Sequence, residues 1–227
     1  MNGDCIYSKV CTLTDTDKCG MDCFRYNQMK KLLDYSNLPK HLQTTFNMVA
    51  PTEDVQAWEK LRKYKNNILK NVQQGKNLYI YSPFCGNGKT TWGVRMLLSY
   101  LNEVWSQPVL RPRAIYMPVS ELFDRERETI EHPDDSYFTL RTELFRADLV
   151  VWDDLGSTRV TDFNALTLLN IIDTREARGL SNVYTSNIGG AKVSELYGVR
   201  LGSRIWENSY KVKFSSRVDR RTVVDEC

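Results

Sequence analysis

Lys89 and Thr90 are the residues whose types and setting most directly imply chemistry. They lie within LYIYSPFCGNGKTT, residues 78–91, where a short apolar run (Leu78, Tyr79, Ile80, Tyr81) breaks at Ser82-Pro83 into a glycine-bearing loop. Strand, glycine loop, Gly-Lys-Thr and helix is the order a phosphate-binding loop requires. Gly86 and Gly88 let the backbone turn its N–H groups inward around Asn87. Lys89 supplies a positive charge for the β- and γ-phosphates, and Thr90 offers a hydroxyl to Mg²⁺. The helix entered at Thr91 adds its dipole to the same anion. Pro83 stands where the usual G-x-x-x-x-G-K-[ST] pattern has its first glycine.

A second constellation is DLVVWDDLG, residues 148–156. Leu149–Trp152 is a continuous apolar run of the kind buried on both faces of a parallel sheet. It ends in Asp153-Asp154, and unpaired carboxylates are costly to desolvate. Beside a phosphate loop they have a use: Asp153 to hold the Mg²⁺ shell, Asp154 to polarise an attacking water. The competing reading is a helix-capping Asp pair in a loop. A third candidate, Asn187, ends the strand pattern SNVYTS and could orient water against a γ-phosphate, or could belong only to the turn Asn187-Ile188-Gly189-Gly190. Arg200 and Arg204 lie four apart on a helical pattern and share a face, and SRVDRR forms a basic tail.

Cysteine usage is uneven. Cys5, Cys11, Cys19 and Cys23 crowd the first tenth of the chain, with Cys85 in the glycine loop and Cys227 at the end. Residues 1–24 carry little helical or strand periodicity and cannot build a core of their own. Four thiolates could staple such a segment around a tetrahedral Zn²⁺. An iron–sulfur cluster, or free thiols in a flexible arm, are the other readings.

The elements that must position these groups follow from periodicity. Phe24–Leu33 has helical spacing, and Asn37-Leu38-Pro39 forces a turn. Asp54–Gln74 reads as one amphipathic helix with Lys60, Arg62, Lys63, Lys65 and Lys70 mostly on its outer face, a solvated face rather than a nucleic-acid contact. Strands are expected at Arg113–Met117, Ser181–Ser186 and Tyr210–Phe214. Helices are expected at Ser120–Arg127 (capped by Ser120), Tyr137–Arg146 and Asp162–Ala177. His132 falls in a turn, as a surface residue. The alternation of strand and helix implies α/β architecture with a parallel sheet.

Bulk composition narrows the partners. With 227 residues, 41% hydrophobic and 26% charged, the chain has the makings of a soluble globular protein. It has no run of membrane-span length and no signal-peptide core, so a cytoplasmic protein without membrane association is expected. The net charge of +3 excludes a polycation. Nucleic-acid binding would need a local basic strip.

With GNGKTT, VVWDDLG, TSNIG, LGSRIWE and FSSRVDRR in this order, the chain resembles the AAA+ ATPases. More narrowly it resembles replicative-helicase loaders of the DnaC/DnaI type, whose ATPase module is shared with the IstB transposition helpers. The resemblance spans roughly residues 50–221. It implies a P-loop AAA+ (ASCE) three-layer sandwich around a central parallel sheet, without a helical lid, over residues 51–227. It also implies a small Cys-rich, metal-stapled segment over residues 1–50 that docks the helicase, similar to what phage-encoded members carry. On this resemblance Lys89 and Thr90 form Walker A, Asp153 and Asp154 Walker B, and Asn187 looks like sensor 1. Arg204 looks like an arginine finger for a neighbouring subunit, and Arg220 like sensor 2. Asp154 replaces the more usual glutamate, and its shorter reach implies slow turnover or switch-like use of ATP. The implied activity is ATP-dependent loading of a hexameric replicative helicase onto single-stranded DNA, by a homo-oligomer in the ATP state. Arg111, Arg113 and Phe123 are candidate DNA contacts. An IstB-like transposition helper, or a non-hydrolysing nucleotide-dependent adaptor or inhibitor, are the alternatives.

Overall fold

The computed structural model describes residues 16, 19, 23–43, 50–108 and 111–219. Five strands form one sheet: β1 (Asn77–Tyr81), β2 (Ala114–Pro118), β3 (Leu149–Leu155), β4 (Ser181–Ser186) and β5 (Ser209–Lys213). Their order is β2-β3-β4-β1-β5 and every pairing is parallel. Parallel strands need crossovers that cover both faces, and strand side chains alternate faces. The two apolar clusters follow that alternation. Leu78, Ile80, Ala114, Tyr116, Leu149, Val151, Val183 and Val212 join one cluster, while Tyr79, Ile115, Met117, Val150, Trp152 and Tyr184 join the other.

The first face is covered by α1 (Phe24–Asp34), α2 (Val55–Asn66), α3 (Ile68–Gln73) and α4 (Lys89–Val104). The second is covered by α5 (Val119–Glu131), α6 (Asp135–Leu144), α7 (Asp162–Ala177), α8 (Gly190–Tyr197) and α9 (Val199–Trp206). Met29, Leu32, Leu33 and Leu38 pack into the same cluster as β1 and α4. This is the expected three-layer α/β arrangement. The helices at 24–34 and 162–177 and the strand at 181–186 lie where their periodicity puts them.

Two local expectations are corrected. The 54–74 pattern is two helices, because Asn67 adopts φ −111°, ψ 23° between α2 and α3. The Asn67 amide donates to Lys63 O, and the buried Asn71 amide donates to Tyr64 O, so side chains satisfy carbonyls at the break. Ser120 does not cap α5, which begins one residue earlier after Pro118. Lys60, Arg62, Lys63 and Lys70 are exposed and Lys65 half-buried, as a solvated face requires, and His132 is exposed. Among the described residues β5 is followed by an extended segment, 214–219, and no helix is long and apolar enough to cross a membrane.

Candidate functional site

The loop between β1 and α4 is built around two left-handed glycines, Gly86 at φ 70° and Gly88 at φ 93°. A side chain at either position would be strained. Asn87 braces the loop: its amide donates to Ser82 Oγ at 2.6 Å, and its Oδ1 accepts from Lys89 Nζ at 3.3 Å. Lys89 is buried and also donates to Phe84 O at 2.8 Å. Its charge is thus centred over the loop. Thr90 and Thr91 follow, half-buried, in the first turn of α4.

α4 lies close to the sheet because Gly93 allows it. A Cβ there would stand 3.0 Å from both Thr185 Cγ2 and Val151 Cγ1. That approach brings Thr90 Oγ1 to 3.2 Å from Asp153 Oδ2. Asp153 points to the α4 face, as Leu149 and Val151 do, and is buried. Tyr116 Oη donates to its Oδ2 at 2.6 Å, and the Thr185 hydroxyl donates to Oδ1.

Simple alternation would drive Asp154 into the opposite core beside Trp152. A register irregularity between Trp152 and Leu155 prevents this. Asp154 takes φ 57°, its N–H donates to Thr185 Oγ1 at 3.0 Å, and its side chain is exposed. There the Asn187 amide donates to Asp154 Oδ1 at 3.1 Å, while the Asn187 Oδ1 is buried with no hydrogen-bond partner. The Asn187 amide thus holds the exposed Asp154 carboxylate at the end of β3. Asn187 can sit there because β4 lies between β1 and β3.

The chain after β5 crosses the phosphate loop. Asp54 Oδ1 accepts the N–H of Ser215 at 2.6 Å, and Phe214 N–H donates to Tyr81 O at 2.8 Å. From there Arg217 stacks over the Phe84 ring at 5.2 Å, and a Cβ at Gly86 would overlap the Asp219 carboxylate. The Asp219 carboxylate therefore lies against the loop at Gly86. Among the described residues the tail cation at the loop is Arg217; Arg220 lies outside them.

Other expected residues stand apart. Arg204 is at the end of α9, just before β5 begins, on the sheet edge opposite the phosphate loop. It pairs there with Asp173 and Glu176, beside a cavity of about 510 Å³ that Asn77 and Asn208 also line. Arg111 and Arg113 are both ion-paired to Asp148, which also accepts from Tyr100, and Phe123 is buried on the core side of α5. Of the three, Phe123 is buried away from any nucleic acid, which corrects the expectation for it, while Arg111 and Arg113 share the Asp148 carboxylate. Of the four N-terminal cysteines, Cys5 and Cys11 lie outside the described residues. Among the described residues no group of three His, Cys, Asp or Glu side chains could hold a metal, so Cys19 and Cys23 give the expected zinc no support.

Tyr116, Thr185, Gly93, Arg217 and Asp219 were not singled out by sequence. A polar tip on an otherwise apolar strand was the available signal for Tyr116. For Thr185 it was the Thr-Ser-Asn run itself.

No family model matches the sequence, and no curated protein matches it. Solved structures do. The DnaC helicase loader matches at TM-score 0.64 and 21% identity, over 78% of this chain and 100% of that one. DnaI matches at TM-score 0.63 and 15% identity, over 84% and 100%. The replication initiator DnaA, bound to AMPPCP and single-stranded DNA, matches at TM-score 0.58 and 18% identity, over 81% and 50%. At these identities it is architecture that is shared: the chain has the fold of DnaC and DnaI.

Proposed function

We propose that this protein is an ATP-dependent loader of a hexameric replicative helicase onto single-stranded DNA during replication initiation. The observation that carries the reading is the approach of Thr90 to Asp153 at 3.2 Å, with Lys89 on one side and the Asp154–Asn187 pair on the other. Lys89 and the loop N–H groups would hold the β- and γ-phosphates, and Thr90 with Asp153 would hold Mg²⁺. The ion, when bound, polarises phosphoryl oxygens as a Lewis acid. Asp154, held by the Asn187 amide, orients the attacking water, and its carboxylate takes the proton. The side chain of Asp154 reaches less far than a glutamate, which favours slow hydrolysis. Arg204, remote from its own loop, serves the site of a neighbouring subunit, so ATP stabilises a homo-oligomer. Residues 51–227 are the ATPase module, and residues 1–50 are the segment that docks the helicase.

The test is transfer of a hexameric replicative helicase to circular single-stranded DNA with Mg-ATP, scored for wild type and Lys89→Ala. Transfer by wild type alone supports the reading. If neither protein binds the helicase, the reading fails, and an IstB-like helper or a nucleotide-dependent adaptor takes its place.

A further inference from the structure

Asp153 is buried, and its two oxygens accept from three hydroxyls. If Thr90 and Asp153 hold the metal, the other two donors, Tyr116 and Thr185, are what keep the carboxylate aimed. Thr185 comes from β4 on one flank of β3. Tyr116 comes from β2 on the other, and β2 is the edge of the sheet. In register Tyr116 faces Val151, so it reaches Asp153 along the diagonal on the α4 face. The phenol Oη lies 2.6 Å from Asp153 Oδ2 and is the donor of that bond, since a carboxylate oxygen accepts.

An edge strand is free to fray on its outer side, where its N–H and C=O groups lack a neighbour. Here the outer side of Tyr116 is closed by one turn of the N-terminal region. Tyr116 N–H donates to Ser36 O at 2.8 Å, and the Asn37 amide donates to Tyr116 O at 3.1 Å. Ser36 is fully buried, with its hydroxyl on Leu33 O at 2.7 Å. Asn37 adopts φ 53°, a conformation that asparagine tolerates better than most residues. The turn between α1 and the following chain thus grips both backbone groups of the one residue whose side chain touches Asp153 from the edge.

We infer that Tyr116 is a positioning residue for the metal-holding carboxylate Asp153, and that the Ser36–Asn37 turn holds the strand that carries it. This rests on the nucleotide-site reading above. It makes residues 36–37 a mechanical link from the N-terminal region to the metal side of the site. Whatever shifts that turn shifts the Tyr116 hydroxyl, and with it the rotamer of Asp153.

The experiment measures binding of a fluorescent ATP analogue to the full chain, in chelator and across a Mg²⁺ titration. Wild type, Tyr116→Phe and Asn37→Ala are compared. In chelator all three are expected to bind equally, because the loop and Lys89 are untouched. With Mg²⁺, Tyr116→Phe should need about tenfold more ion for half-maximal gain, the usual cost of removing a group that orients a metal ligand. Asn37→Ala should show a smaller shift in the same direction. An unchanged Mg²⁺ midpoint in Tyr116→Phe overturns the inference. So does an equal loss in chelator and in Mg²⁺, which would assign Tyr116 to packing alone. If wild type binds no nucleotide under either condition, the nucleotide-site reading itself falls, an outcome distinct from the other two.

Discussion

Arg204 on α9 lies 3.1 Å from Asp173 on α7, at the edge of the sheet away from the phosphate loop. Glu176 takes a second guanidinium nitrogen, also at 3.1 Å. The arginine side chain is nearly half exposed while both carboxylates are mostly buried, so a neighbour can reach the guanidinium but its loss leaves two acids poorly compensated. Arg204→Ala is expected to lower the thermal midpoint by a few degrees and to abolish ATP turnover. Mixing it with Lys89→Ala should restore phosphate release, because each variant supplies what the other lacks. Mixtures as inactive as the separate variants would sink the shared-site model.

Asp219 presents a carboxylate to the loop expected to hold phosphates. Nucleotide would have to displace it, and like charges at close range repel. Asp219→Asn is expected to tighten binding of an ATP analogue about three- to tenfold at low salt, with the difference shrinking as salt rises. Weaker binding would mean that Asp219 supports the loop rather than competing for it.

Arg175 is fully buried, and among the described residues no carboxylate pairs with it. Its guanidinium donates to Leu144 O, Ala147 O, Ser181 O and Asn182 Oδ1, tying the end of α6 to β4. Burial lowers its pKa to about 9. Arg175→Leu would strand these acceptors in the interior. A loss of about 3–5 kcal/mol is expected in denaturant unfolding at neutral pH, far above that of an average substitution. A loss below about 1 kcal/mol would show that water or side-chain rearrangement satisfies the carbonyls.

Stability should also fall in alkali. Tyr64 and Tyr197 are buried, and burial pushes both phenols up to about 12. A raised folded pKa means the native state binds more protons than the unfolded chain. The stabilisation is therefore complete below the ordinary tyrosine value and is lost as pH rises from there through about 12. Denaturant midpoints should decline across that window, in step with tyrosinate absorbance. Tyr197→Phe, which also gives up the acceptor for the Gly156 N–H, should start from lower stability but decline less steeply. Parallel declines would assign the alkaline loss to other groups.

What the sequence alone determines here is whatever a few consecutive residues can express. The apolar runs Leu78–Tyr81 and Leu149–Trp152 required strands buried on both faces. Gly86 and Gly88 before Lys89 required a left-handed loop opening into a helix. Those are local properties of backbone sterics and side-chain period, readable without neighbours. Tertiary structure decided what depends on contacts distant in the chain. The bulge that turns Asp154 outward needs β4 and the Thr185 hydroxyl beside it. The donors on Asp153 come from residues 90, 116 and 185, and Gly93 matters only because Val151 and Thr185 stand behind it. The same logic spent Arg111 and Arg113 on Asp148, buried Phe123, and sent Arg204 to the far edge of the sheet. A residue's type proposes a role, but its partner is chosen by strand order and helix packing, and no short window of sequence contains those.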